Sequence, residues 1–114
     1  MKTSIAEFGR AAKLIRSTGV YDVYDLPYLS RLVVSMTILH PGKETSGHSH
    51  EDAEEVYLFL EGAGEMQLDE EMIAVSKGDI VLIPKEQFHK VFNGSNGDLL
   101  LLSVFEKYGD RGAV

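Results

Sequence analysis

The chain has 114 residues, 44% of them hydrophobic, which suits one globular domain with a closed core and is too short for two. Its 18 acidic residues outnumber the 11 basic ones. The resulting net charge of −7, without a basic stripe, argues against binding to nucleic acid or to an anionic membrane surface. Because cysteine is absent, the sequence excludes a disulfide framework and a thiolate metal site, so any metal must be held by nitrogen and oxygen ligands.

The N-terminal segment, residues 1–19, contains a predicted short helix over residues 4–16. Ser4 is the candidate N-cap, and Glu7 three positions later completes a capping box. Gly9 weakens this helix by about 1 kcal/mol. The segment is therefore expected to be either a short helix or extended chain.

From residue 20 onward the chain is built of short runs rich in Val, Ile, Leu and aromatic residues, separated by Gly, Pro, Asp or Asn. This pattern predicts an all-β domain, a barrel or sandwich, over residues 20–107. The predicted strands cover residues 20–24, 31–39, 46–50, 55–60, 64–68, 72–75, 79–83, 88–92 and 99–106. Residues 108–114 are predicted to form a loose tail.

Two of these runs, 32–39 and 99–105, are apolar on both faces of the strand. A strand with one wet face alternates between apolar and polar residues, so something must cover the outer face of these two. The N-terminal segment can cover part of it, and a second copy of the protein is the other candidate. We therefore expect a homodimer; the alternative is a sandwich whose own second sheet buries both faces.

Three of the 4 histidines fall in two short segments. His48 and His50 stand two positions apart, which on extended backbone puts both imidazoles on one face, where they can bind one ion. Glu55 begins the next strand-like run and can add a carboxylate, while His89 adds an imidazole from a third segment. The fourth histidine, His40, precedes a Pro-Gly turn and is interpreted as structural.

Several other residues are candidates for binding the metal or lining the pocket. Glu54 is the competing carboxylate, although it faces the opposite way once the strand has begun. Asn93 is more typical of a turn than of a ligand. Tyr57 and Phe59 share the strand face of Glu55, so we expect them to point into the barrel beside the metal and to line the ligand-binding pocket. Their alternative role is packing in the core.

The chain carries two spaced motifs, Gly42-x5-His48-x-His50-x4-Glu55-x6-Gly62 and Gly78-x5-Pro84-x4-His89-x3-Asn93. They resemble the paired signatures of the cupin superfamily, the first without departure. The resemblance implies a single cupin-type (jelly-roll) β-barrel in which His48, His50, Glu55 and His89 bind one divalent metal. One departure is Glu86, which stands where the family usually has a glycine suited to a turn with positive φ.

Three neutral imidazoles and one carboxylate leave two positions of an octahedron for water or substrate. This ligand set favours one divalent transition metal per chain, Mn, Fe, Co or Ni, over Zn, because four protein ligands would saturate tetrahedral Zn. An open position on the metal can polarise a bound oxygen or bind O₂.

We therefore expect a metal-binding protein for a small oxygen-rich molecule, namely a sugar, a sugar phosphate or a small carboxylic acid. The resemblance implies isomerase- or decarboxylase-like chemistry. The alternatives are a non-catalytic module that binds a metal or small ligand, and a metal-dependent dioxygenase. No leading apolar run resembles a signal peptide or a spanning helix, so a cytoplasmic location without nucleic-acid or membrane partners is expected.

Overall fold

The computed structural model describes residues 1–107. Within that range the chain forms one short helix and nine β-strands. They are α1 (Phe8–Ala11), β1 (Lys13–Ser17), β2 (Tyr21–Leu26), β3 (Leu32–Leu39), β4 (Glu55–Glu61), β5 (Ala63–Leu68), β6 (Glu71–Ser76), β7 (Ile80–Ile83), β8 (His89–Phe92) and β9 (Leu99–Glu106). The expected tail, 108–114, lies outside the described residues. No helix in the described range is long and apolar enough to cross a lipid bilayer.

The N-terminal helix is a single turn, much shorter than the helix expected over residues 4–16. The backbone nitrogen of Glu7 donates to Ser4 Oγ at 3.2 Å, but the N-cap of α1 is Glu7 instead of the expected Ser4, and it makes no side-chain capping hydrogen bond. Ala12 is already extended, with ψ 156°. The next residues form β1, which pairs with β2 and packs Ile15 against the core. Hairpin pairing with β2 thus takes the place of the second half of the predicted helix.

The strands form two antiparallel sheets that enclose one core. The larger sheet has the order β1-β2-β3-β9-β4-β7, and the smaller has the order β6-β5-β8. Leu39, Phe59 and Leu99 from the larger sheet and Met66 and Val91 from the smaller one have at most 1% of their surface exposed and belong to one hydrophobic cluster. The all-β barrel expected from the sequence is confirmed.

The predicted strand over residues 46–50 is reduced to isolated bridges. Glu44 pairs with Phe92, and His48 pairs with His89, so this segment continues the smaller sheet beyond β8. Gly47 interrupts it with a φ of +79°, and a Cβ at this position would lie 2.6 Å from Cζ of Phe88. Glycine therefore suits the residue before the first histidine, because a side chain there would be strained at this φ and would displace the Phe88 ring.

The larger sheet carries an outer apolar face, which we define as Val56, Ile80, Leu82, Leu100 and Leu102. These residues lie on three adjacent strands, β7, β4 and β9, where Val56 is opposite Leu82 and the strands are in register. Ile80 and Leu82 are 65% and 69% exposed, and the two β9 leucines are half-buried. The described chain leaves this face largely uncovered, so the expected homodimer stays a prediction with a defined surface.

Candidate metal centre

Four side chains meet inside the barrel. His48, His50, Glu55 and His89 each offer one ligand atom, and these four atoms all lie within 4.8 Å of one another. Metal bonds to nitrogen and oxygen of about 2.1 Å allow two ligand atoms on opposite sides of an ion to be about 4.2 Å apart. The four atoms can therefore close on one ion with shifts of a few tenths of an ångström. The cluster that the histidine spacing indicated is present as a candidate metal site.

Backbone pairing positions the histidines. His48 and His89 face each other and exchange two backbone hydrogen bonds, of 3.1 and 2.9 Å. The carbonyl of His50 accepts a 2.7 Å hydrogen bond from the backbone nitrogen of Glu86. Glu55 opens β4 and lies between β7 and β9, so its backbone is held on both sides. Each of the four residues is thus held by backbone pairing or hydrogen bonding between segments that are distant in the sequence.

The carboxylate of Glu55 lies beside two of the imidazoles in the cluster. Its Oε1 is 3.1 Å from Nε2 of His50 and 3.4 Å from Nε2 of His89. Glu55 and His89 are only 5% and 1% exposed. Within residues 1–107, neither Glu55 Oε1 nor His89 Nε2 makes a hydrogen bond. Buried polar atoms are costly when they are left unsatisfied, and a cation between them would satisfy both.

The second ring nitrogen of His89 supports the same arrangement. Nδ1 lies 3.1 Å from the backbone carbonyl oxygen of Gln87. A proton on Nδ1 can be donated to this carbonyl, which leaves the lone pair of Nε2 directed at the cluster. Metal-binding histidines commonly use their other nitrogen in this way, which fixes both tautomer and ring orientation. The donor set therefore fits a divalent cation held by nitrogen and oxygen.

Tyr57 and Phe59 follow Glu55 on the same face of β4, as expected. The Tyr57 ring meets the His89 ring edge-on, with centroids 5.8 Å apart, so it lies beside the cluster. Phe59 packs edge-on against Tyr57 at 6.4 Å and is completely buried in the core. Phe59 therefore lies behind Tyr57, further from the cluster, and the pocket-lining role assigned to both residues stays a prediction.

The remaining candidates take structural positions. His40 lies 3.5 Å from a carboxylate oxygen of Asp22 and 3.3 Å from one of Asp98, which ties the end of β3 to neighbouring segments. The Asn93 side chain donates to the carbonyl of Gly97 in its own turn and to the carbonyls of Leu39 and His40 at the end of β3. Glu54 is exposed. The interpretation of these three residues as non-ligands agrees with their places in the fold.

Sequence reasoning missed a set of buried polar residues on the inner face of the larger sheet. Asp25, Ser35 and Ser103 are 3%, 0% and 5% exposed. Asp25 pairs with Ser35, Ser35 with Ser103, and Ser103 with Tyr57. Polar residues at the inward positions of otherwise apolar strands were the available signal. That they align in one row depends on strand register, which the sequence does not show.

Comparison with known proteins identifies the fold family. Residues 35–105, which include all four residues of the candidate metal site, match the sequence model of the cupin domain. The chain belongs to the cupin family. In a solved structure of TT1209 from Thermus thermophilus, the fold of this cupin recurs with a TM-score of 0.78 at 25% sequence identity, over 93% of this chain and 97% of that one.

Two curated relatives cover parts of this cupin. An uncharacterized protein of Methanocaldococcus jannaschii is 43% identical over 65 residues, or 57% of this chain and 52% of that protein. A glucose-6-phosphate isomerase of Thermococcus gammatolerans is 31% identical over 110 residues, or 82% of this chain and 58% of the isomerase. This cupin thus spans just over half the length of these relatives.

Proposed function

We propose that this cupin binds one divalent transition metal through His48, His50, Glu55 and His89. The convergence of one ligand atom from each residue within 4.8 Å supports the proposal. Three neutral imidazoles and one carboxylate carry a charge of −1, so a divalent ion leaves the centre with a net charge of +1. Such a centre attracts an anionic or oxygen-rich ligand to its open coordination positions. Mn, Fe, Co and Ni suit these open positions better than Zn.

The reaction that we propose is the isomerisation of a sugar phosphate. It is supported by the 31% identity to a glucose-6-phosphate isomerase across most of this cupin, together with the metal-ligand set. When bound, the metal would act as a Lewis acid on a carbonyl or hydroxyl oxygen of the sugar. The buried carboxylate and imidazoles would hold it, and the Tyr57 ring beside His89 would shield that side of the centre from water.

The test is an assay of metal-loaded protein. Apo-protein is loaded separately with Mn, Fe, Co, Ni or Zn, its metal content is measured by elemental analysis, and interconversion of glucose 6-phosphate and fructose 6-phosphate is followed. We expect one metal per chain and turnover that disappears with a chelator. Full metal content without turnover of these or other sugar phosphates would refute the isomerase and favour the non-catalytic binding module.

A further inference from the structure

The turn between β8 and β9 contains two asparagines that are each followed by a glycine, Asn93-Gly94 and Asn96-Gly97. In such a pair the backbone nitrogen of the glycine can attack the side-chain carbonyl carbon of the asparagine. Glycine favours this attack because it has no Cβ to obstruct the approach and leaves the backbone free to change conformation. Apart from chain neighbours, a Cβ added at either glycine would meet no heavy atom within 4 Å. The surroundings of the two glycines therefore do not distinguish the pairs.

The side chain of Asn93 is held on every side. It is 1% exposed, and its Nδ2 donates to the carbonyl oxygens of Leu39, His40 and Gly97 at 2.9, 3.3 and 2.8 Å. Its Oδ1 accepts from the backbone nitrogen and the hydroxyl of Ser95 at 3.1 and 2.7 Å. The reaction moves the carboxamide out of this position and finally removes Nδ2, so these contacts would be lost.

Asn96 lies three residues later in the same turn and is not restrained in this way. It is exposed, and within the part of the chain that the structure describes its side chain makes no hydrogen bond. The nitrogen that would attack it belongs to Gly97, which contacts Ser95 Oγ at 3.4 Å. That distance is longer than in most N–H···O hydrogen bonds. Both reacting groups of the second pair are thus free to move.

We propose that Asn96 is a site of spontaneous deamidation, whereas Asn93 in the same turn is protected. The Gly97 nitrogen forms a bond to Cγ of Asn96 and loses its proton, and the Cγ–Nδ2 bond breaks to release ammonia. Water then opens the five-membered imide at either carbonyl, which gives aspartate or isoaspartate. The net reaction consumes one water and adds one negative charge to a chain whose net charge is −7. This inference is independent of the proposed function.

The product lies far from the candidate metal centre. β9 begins at Leu99, just after the turn, whereas Glu55 pairs with Phe105 near the other end of that strand. At about 3.4 Å per residue, roughly 20 Å of strand separates the two ends. Isoaspartate also lengthens the main chain by one methylene immediately before Gly97, whose carbonyl accepts a hydrogen bond from Asn93. We therefore expect the conversion to loosen the turn and to leave metal content unchanged.

The experiment follows both asparagines in one peptide. The purified protein is incubated at mildly alkaline pH, either folded or unfolded in urea, and then digested with trypsin. Residues 91–107 are released as one fragment, because Lys90 and Lys107 are the cleavage sites that bound it. Tandem mass spectrometry locates the mass increase that accompanies replacement of an amide by a carboxyl group. A sample digested without incubation is subtracted, since digestion itself can cause some conversion.

In the folded protein we expect Asn96 to convert about 100-fold faster than Asn93, because Asn93 would lose at least three hydrogen bonds, each equivalent to a factor of about five. In urea the two should convert at similar rates, since both precede glycine. Isoaspartate is identified by methyl transfer from S-adenosylmethionine to its free carboxyl group, catalysed by an isoaspartyl methyltransferase.

Gly97→Ala and Gly94→Ala are a matched pair of variants, because a Cβ fits at both positions. Gly97→Ala should slow conversion at Asn96 several-fold, and Gly94→Ala should leave it unchanged. Circular dichroism and metal content are measured for each. Equal conversion of the two asparagines in the folded protein would overturn the inference. Conversion of Asn96 in urea alone would also overturn it, because the folded turn would then protect both.

Discussion

The backbone nitrogen of Glu86 donates a 2.7 Å hydrogen bond to the carbonyl of His50, and it does so from a left-handed conformation with φ 69°. The cupin motif usually has a glycine at this position of the turn. Here the turn keeps a left-handed conformation with a glutamate side chain present. A left-handed conformation costs a residue with a Cβ roughly 1–2 kcal/mol. The cost is tolerated at a position that anchors the backbone of a residue in the candidate metal site.

We predict that Glu86→Gly raises the free energy of unfolding and leaves metal content unchanged. Relief of the left-handed strain, roughly 1–2 kcal/mol, exceeds the extra chain entropy of glycine, about 0.5–1 kcal/mol. Lys85→Gly is the control, since Lys85 is also exposed but has no positive φ. It should lower the free energy of unfolding. Urea denaturation measures both, and equal effects of the two substitutions would contradict strain at Glu86.

Substitution of the proposed ligands should remove the metal selectively. His50→Ala loses one ligand, and Glu55→Gln removes the negative charge with almost no change in volume. Each should lower metal affinity by more than the roughly 10- to 100-fold seen for loss of a supporting residue. His40→Ala is the control, because His40 contacts Asp22 and Asp98 instead of the cluster. Elemental analysis after dialysis would reject the site if the His50 and Glu55 variants kept one metal per chain.

Removal of the metal should destabilise the barrel. A ligand present at 100 times its dissociation constant stabilises the folded state by about 2.7 kcal/mol. For a domain of this size, we expect a chelator to lower the melting temperature by on the order of 10 °C. The His50→Ala protein should melt at the same temperature with and without the chelator. An identical chelator effect in both proteins would show that the stabilising ion binds elsewhere.

The outer apolar face gives the homodimer prediction a specific test. Leu82→Glu places a charge on a strand where Ile80 and Leu82 are more than half exposed, so it should weaken association while metal content is retained. Met72→Glu is the matched control: Met72 is 48% exposed but lies on β6 of the smaller sheet. Size-exclusion chromatography followed by light scattering measures the mass of each variant. A wild-type monomer at micromolar concentration would disprove the dimer.

Hydrophobic patterning and turn residues were enough to predict most strands. The runs 31–39 and 99–106 nearly coincide with β3 and β9, because their apolar character and length are local properties. β1 was missed, since the capping pattern at Ser4 favours a helix and only pairing with β2 makes these residues extended. The segment around His48 was expected as a strand, but Gly47 limits it to isolated bridges.

The candidate metal site was more predictable than the pocket around it. Ligand type and spacing are written directly in the sequence, and the fold brings His48, His50, Glu55 and His89 together. The alignment of Asp25, Ser35 and Ser103 was not predictable, because each lies on a different strand and only register brings them together. Phe59 illustrates the same limit: its strand face was correct, but its depth in the core depends on the surrounding strands.

The pairing of His48 with His89 also bears on the order of events during folding. The chain must close a long loop before these two residues can exchange their backbone hydrogen bonds, and such non-local contacts form late and slowly. Before the barrel closes, only His48, His50 and Glu55 are close together, because they are near one another in the sequence. Without His89, these three residues would bind an ion weakly. Tight binding of an ion would then report that His89 has joined the other three residues, so the rate of metal uptake would measure closure of the barrel.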